Sequence, residues 1–113
     1  MNYQKYLLNS ASFGILMALS LRPRHGYEIM KQIEEDSGGN TKIGPGALYT
    51  NIKSLNDAGL IEEIDDTEGS RRRCYRLTNE GWTQLNAELD YLDGILKMGR
   101  SRNIYEGFQW ERI

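Results

Sequence analysis

The residues of this 113-residue chain best suited to chemistry are cations and hydrogen-bond donors, not nucleophiles. Arg71, Arg72, Arg73 and Arg76 fall within ten residues, Gly69 to Thr78, that contain no acid. Clustered guanidinium groups bind phosphate well, because each is a permanent charge with a fork of donors. A second acid-free stretch, residues 40–56, adds Lys42 and Lys53. Gly46, Thr50 and Lys53 of that stretch, with Asp57 just beyond it, recur at the spacing of one helix face, with Tyr49 on the flank and Asn51 beside them. Lysine donates to guanine O6 and N7, and threonine offers a hydroxyl and a methyl, so a helix carrying both can read base edges in a major groove. The two acid-free stretches hold six cations. The rest of the chain holds the other eight basic residues and all 16 acidic ones, a balance of −8 beneath a net charge of −2. That segregation points to one positive surface for phosphate on an otherwise acidic body.

Other chemistries find little support. His25 is the only histidine and Cys74 the only cysteine. A histidine-rich zinc site and a nucleophile–base pair are therefore not expected. His25 precedes a predicted helix and is expected to cap or buttress it. Gly44-Pro45-Gly46 lacks the GK[ST] end of a phosphate-cradling loop. We expect no enzyme, no metal and no cofactor. A lone cysteine makes no internal disulfide and suits a reducing cytoplasm. It shares a strand face with Arg72 and Arg76, which favour thiolate, yet it is not expected to be an essential switch. There is no secretory signal pattern. The longest apolar run, Phe13 to Leu19, falls far short of the roughly 20 residues that span a bilayer.

Positioning these groups requires a scaffold, and hydrophobic spacing supplies one. A helix is expected from Ala11 to Leu21, capped by Ser10, apolar on most sides and hence central. A second runs from His25 or Gly26 to Asp36, with Tyr27, Met30 and Ile33 inward, joined by Ile29, and Ser37-Gly38-Gly39 as its stop. A third starts at Pro45, buries Leu48, Ile52 and Leu55, and stops at a left-handed Gly59. Leu60–Ile64 and Arg71–Leu77 read as strands around an acidic turn, with Arg73, Tyr75 and Leu77 sharing one face. Thr78 caps a last helix over residues 79–98. Its Trp82, Leu85, Leu89, Leu92 and Leu96 follow spacings of 3, 4, 3 and 4, the rhythm of a coiled-coil seam. Tyr91, Ile95 and Met98 widen that stripe, and a homodimer is expected to cover it. The fold class is α+β, mostly helical: a winged helix-turn-helix in residues 1–78, with an N-terminal arm 1–9, then a C-terminal dimerisation helix and tail in 79–113.

Three motifs carry a family resemblance: RHGYEIMKQIEEDSGG (Arg24 to Gly39), GPGALYTNIKSLNDAGLIEE (Gly44 to Glu63) and GSRRRCYRLTNEG (Gly69 to Gly81). In this order and spacing, over the middle two-thirds of the chain, they resemble the PadR-like transcriptional regulators. The resemblance implies a dimeric bacterial repressor with a C-terminal dimerisation helix, often with a small aromatic or drug-like effector. The family's Pro-x-x-Leu-Tyr pattern falls on Pro45, Leu48 and Tyr49, at the start of a recognition helix, and its basic wing on Arg71, Arg72 and Arg73. Cys74 stands where members often carry tyrosine or lysine. Some compact members clamp drugs between tryptophans late in the last helix, whereas Trp82 here is early and the later position is leucine.

The expected partners are thus double-stranded DNA bearing a near-palindromic operator, a second copy of the chain, a small aromatic effector, and no membrane. DNA contacts are expected from Lys42, Gly46, Tyr49, Thr50, Asn51, Lys53, Arg71, Arg72 and Arg73. Dimerisation is expected through Trp82, Leu85, Leu89, Leu92 and Leu96, and effector contact through Tyr3, Tyr6, Trp82 and Tyr91. The competing expectation is a winged-helix protein-interaction module that does not bind DNA, suggested by the acidic turn Asp65 to Glu68.

Overall fold

The computed structural model describes residues 8–65 and 73–102. In chain order they form α1 (Ser10–Leu19), β1 (Arg24–His25), α2 (Gly26–Asp36), α3 (Pro45–Asp57), β2 (Ile61–Ile64), β3 (Cys74–Leu77) and α4 (Asn79–Ser101). The three strands make one antiparallel sheet in the order β1-β3-β2.

Helix α1 is central, as its all-round apolar character requires. Ile15, Leu16 and Ala18 are fully buried, and the helix touches α2, α3, α4 and β3. Its cap is Asn9 rather than Ser10: the Asn9 carboxamide oxygen accepts from the Ser12 N–H at 2.8 Å. It stops at Leu19, two residues short of the expectation, and Ser20 Oγ turns back to the Met17 carbonyl. Helix α2 buries Gly26, Ile29 and Ile33, while Tyr27 is exposed and Met30 half-buried. The expected stripe of Tyr27, Met30 and Ile33 is therefore corrected. Residues three apart drift round a helix by about 60° per step, so Tyr27 leaves the face that Ile33 occupies. It carries Lys31 Nζ 5.4 Å above its ring instead.

Helix α3 forms as its sequence dictates. Gly44 is the cap, Pro45 opens the first turn, Leu48, Ile52 and Leu55 are buried, and Gly59 takes φ 77° to turn the chain. The sheet departs from a simple hairpin through β1, which pairs Arg24 with Tyr75 and His25 with Cys74. Two residues show no alternation, so nothing local announces this strand. Arg24 is buried with its Nη1 donating to Gln32 Oε1 at 2.9 Å. On β3 the expected alternation holds, with Tyr75 and Leu77 buried and Arg73 exposed where its face runs past the core.

Helix α4 is anchored at its start. Thr78 Oγ1 accepts from the Gly81 N–H at 3.0 Å and donates to the Gly59 carbonyl at 2.6 Å. A Cβ on Gly81 would fall on the Leu60 carbonyl oxygen. Leu85 is 3% exposed and belongs to the same core as α1 and β3. The first turns of α4 are thus built into the same body as α1 and β3. No helix among the described residues is long and apolar enough to cross a membrane.

Candidate nucleic-acid interface

Burial of Leu48, Ile52 and Leu55 fixes the azimuth of α3, so Gly46, Thr50 and Lys53 necessarily face outward, and all three are exposed. Nothing in the chain lies within 4 Å of where a Gly46 Cβ would sit. The first turn of α3 is therefore open to close approach. Tyr49 lies on the flank, half exposed, with its hydroxyl against Gly26: a Cβ there would be 2.6 Å from Tyr49 Oη. That contact brings the start of α2 against the outer side of α3.

Two adjoining grooves share Tyr49 and Arg73. One, of about 370 Å³, is lined by His25, Gly26, Tyr27, Tyr49 and Arg73. The other, of about 420 Å³, runs between Tyr49, Ile52, Lys53, Asn56 and Asp57 on α3 and Glu63, Arg73 and Tyr75 beside it. His25 Nδ1 lies 3.3 Å from the Arg73 carbonyl, linking the approach to β3 with the start of α2. The outer face of α3, the start of α2 and the Arg73 end of β3 are one surface. His25 and Tyr27 were not among the expected contacts. A reading that counts charges passes over them, and apolar spacing along α2 turns Tyr27 inward.

The cations of this surface and its surroundings are matched to acids. Lys53 Nζ is 3.0 Å from Asp57, Arg73 Nε 3.7 Å from Glu63, and Arg76 Nε 2.6 Å from Glu62, its cross-strand partner. Lys42 Nζ is 3.5 Å from Glu34. All these pairs are solvent-exposed, and such pairs are worth about 0–1 kcal/mol, so an arriving phosphate displaces them at small cost. Burial, then the Glu63 carboxylate, pushes the Tyr75 phenol above its usual range, keeping it neutral beside Arg73.

Among the expected contacts, Asn51 is held by its own chain. Its Nδ2 donates to the Ala47 carbonyl at 2.7 Å, and its Oδ1 accepts from Ser12 Oγ at 2.9 Å and Asn9 Nδ2 at 3.2 Å. The carboxamide is turned to α1, away from the open face. Arg71, Arg72, the turn residues Asp66 to Ser70, and Tyr3 and Tyr6 lie outside the described residues.

On α4, Leu85 is part of the chain's own core, whereas Trp82, Leu89 and Leu92 are exposed, joined by Ile95 and Met98, with Leu96 half-buried. An unpaired apolar face therefore exists, displaced toward the C-terminal half of the expected stripe. Trp82 and Tyr91 are nine residues apart, which at about 100° per residue puts them on opposite sides of α4. One copy does not bring them into a shared pocket.

The model of the transcriptional regulator PadR-like family matches residues 15–87. The chain is 37% identical over 76 residues to the transcriptional regulator YqjI of Escherichia coli, covering 66% of this chain and 36% of that protein. It thus spans about a third of that relative's length. A PadR family transcription regulator from Clostridium difficile superposes with TM-score 0.70 at 28% identity, over 80% of this chain and 95% of that one. Bacillus subtilis PadR, solved in complex with operator DNA, superposes with TM-score 0.62 at 25% identity, over 76% of this chain and 48% of that one.

Proposed function

The chain belongs to the PadR-like family of transcriptional regulators, and from that membership we propose that it regulates transcription by reading operator DNA with the outer face of α3. The observation that carries this reading is the single surface joining that face to Arg73 across Tyr49. Thr50 and Lys53 take the base edges in the major groove. Arg73, with Arg71 and Arg72 ahead of it in sequence, holds backbone phosphate and sets register. The open first turn of α3, with Gly46 and Lys42 nearby, accepts a further phosphate oxygen. Asp57 and Glu63 hold the cations in place until phosphate replaces them.

The operating unit is a homodimer closed through the exposed apolar face of α4. Two recognition helices then meet the duplex about 34 Å apart, one turn of DNA, and the operator is nearly palindromic. Occupying the operator makes the protein a repressor. Release by a small aromatic effector requires a pocket assembled from two copies, since Trp82 and Tyr91 diverge within one.

Binding isotherms on operator and random duplex at several salt concentrations test the reading. Log affinity is expected to fall linearly with log salt, with a steep slope for both duplexes. Binding that is absent at low salt sinks it and favours the protein-interaction module.

A further inference from the structure

Of the three buried polar side chains among the described residues, Ser12, Arg24 and Glu88, two belong to one hydrogen-bonded chain. It begins on α4, where Glu88 Oε1 accepts from Gln84 Nε2 at 3.2 Å and from the Leu8 backbone N–H at 2.8 Å. Leu8 is followed by Asn9, whose side chain caps α1 and also donates to Asn51 Oδ1. Ser12 Oγ, one turn into α1, donates to the same oxygen. Asn51 closes the chain on the recognition helix through the Ala47 carbonyl.

The arrangement is specific. The Asn51 oxygen faces two donors and its nitrogen faces a carbonyl, which fixes the orientation of the carboxamide. Glu88 is 3% and Ser12 4% exposed, and buried polar groups are costly unless their partners are held in place. Leu8 and Asn9 are consecutive, so a shift of Glu88 is delivered to the α1 cap with one residue of slack. Asn51 follows Thr50 directly, so a change in its hold alters the azimuth of the face that meets DNA.

We propose that Asn51 is a positioning residue, and that the relay Glu88–Leu8–Asn9–Ser12–Asn51 transmits the placement of α4 to the recognition helix. The functional half of this proposal rests on α3 reading DNA; the mechanical half does not. A rearrangement of α4, by its partner copy or by a ligand on it, is thereby felt at the bases without direct contact.

The test uses the full chain, labelled with ¹⁵N, as wild type, Glu88→Gln, Glu88→Ala, Asn51→Ala and Glu88→Ala/Asn51→Ala. Glu88→Ala is expected to shift the Asn51 side-chain amide resonances and speed their exchange with water. Glu88→Gln, which keeps an acceptor for Leu8, is expected to leave them in place. On operator DNA, Glu88→Ala and Asn51→Ala are each expected to weaken binding roughly tenfold, and the double variant no further than the worse single one. Asn51 resonances that ignore Glu88→Ala overturn the relay, as do losses that multiply in the double variant. If Glu88→Ala fails to fold, Leu8→Pro removes the backbone donor while keeping the carboxylate, and the same two outcomes decide. A wild type that does not bind DNA refutes the DNA reading, and the Asn51 resonances still judge the relay.

Discussion

At Gly81 an added Cβ meets the Leu60 carbonyl oxygen, a backbone atom held in place by its hydrogen bond from Thr78 N–H at 3.1 Å. Gly81→Ala is therefore expected to lower stability by about 1–3 kcal/mol, the usual cost of overpacking, read from the urea midpoint. At Gly26 the added atom meets the tip of the Tyr49 ring, which can swing away. Gly26→Ala is expected to cost less stability than Gly81→Ala but to weaken operator binding, because Tyr49 leaves its place between α2 and α3. Stability losses of equal size in both would contradict this account. Glu28 makes a separate prediction. Its bond from the His25 N–H, assisted by Arg22, holds its carboxyl below the usual carboxylate range, against the opposing effect of burial. A depressed folded-state value contributes stability above the ordinary carboxylate range and loses it as pH falls through the folded value. Unfolding midpoints across acid pH are expected to show wild type ahead of Glu28→Gln near neutrality, with the gap closing in acid.

Helix α3 and the strand beside it divide the work between sequence reading and grip. Arg73→Ala is expected to weaken operator and random duplex by similar factors. It should also flatten the salt dependence by roughly one unit for each phosphate left without its cation. Lys53→Ala is expected to cost about 1–3 kcal/mol against the preferred base at one position per half-site, and little against other bases. Neither is expected to change stability by more than about 1 kcal/mol, since both ion pairs are exposed. Isotherms on single-base operator variants separate the two effects. Equal losses on every sequence would remove base reading from α3. Asn51→Ala differs from both: it changes the set of α3 and takes no cation away from phosphate, so it leaves the salt slope at its wild-type value.

Over the whole molecule, α4 packs into the core at its start and carries an exposed apolar face beyond it. Leu85 is packed inside its own chain, so Leu85→Ala is expected to cost about 2–5 kcal/mol of folding stability. Leu89 and Leu92 are 39% and 43% exposed in a single copy. Leu89→Glu together with Leu92→Glu is expected to give a folded monomer, because four charges at a two-fold seam have no partners. Sedimentation at micromolar concentration checks this, and a monomeric wild type would end the dimer reading. Loss of the dimer should also abolish the preference for a palindrome over a half-site, leaving only weak binding to each half.

The sequence by itself determined the parts whose information is local. Pro45, Gly59 and the 48/52/55 spacing delimit and orient the thirteen-residue α3, and alternation on β3 sets Tyr75 and Leu77 inward. Charge segregation is legible in the sequence because it needs only counting, and it points to the surface proposed for DNA. Tertiary structure decided what depends on neighbours distant in sequence. Strand β1 exists through pairing with residues some fifty positions later. Leu85 and Leu89 are alike as heptad positions, and only the core beneath the start of α4 distinguishes them. Asn51 falls toward the buried side of α3 by helical spacing, but that the donors of Asn9 and Ser12 wait there is decided only by packing. Glu88, an acid on a helix with water on one side, is buried, and its carboxylate accepts from the Leu8 N–H of a distant segment. Periodicity tells which way a residue faces on its own helix; whether water or another element waits there is settled when the elements pack.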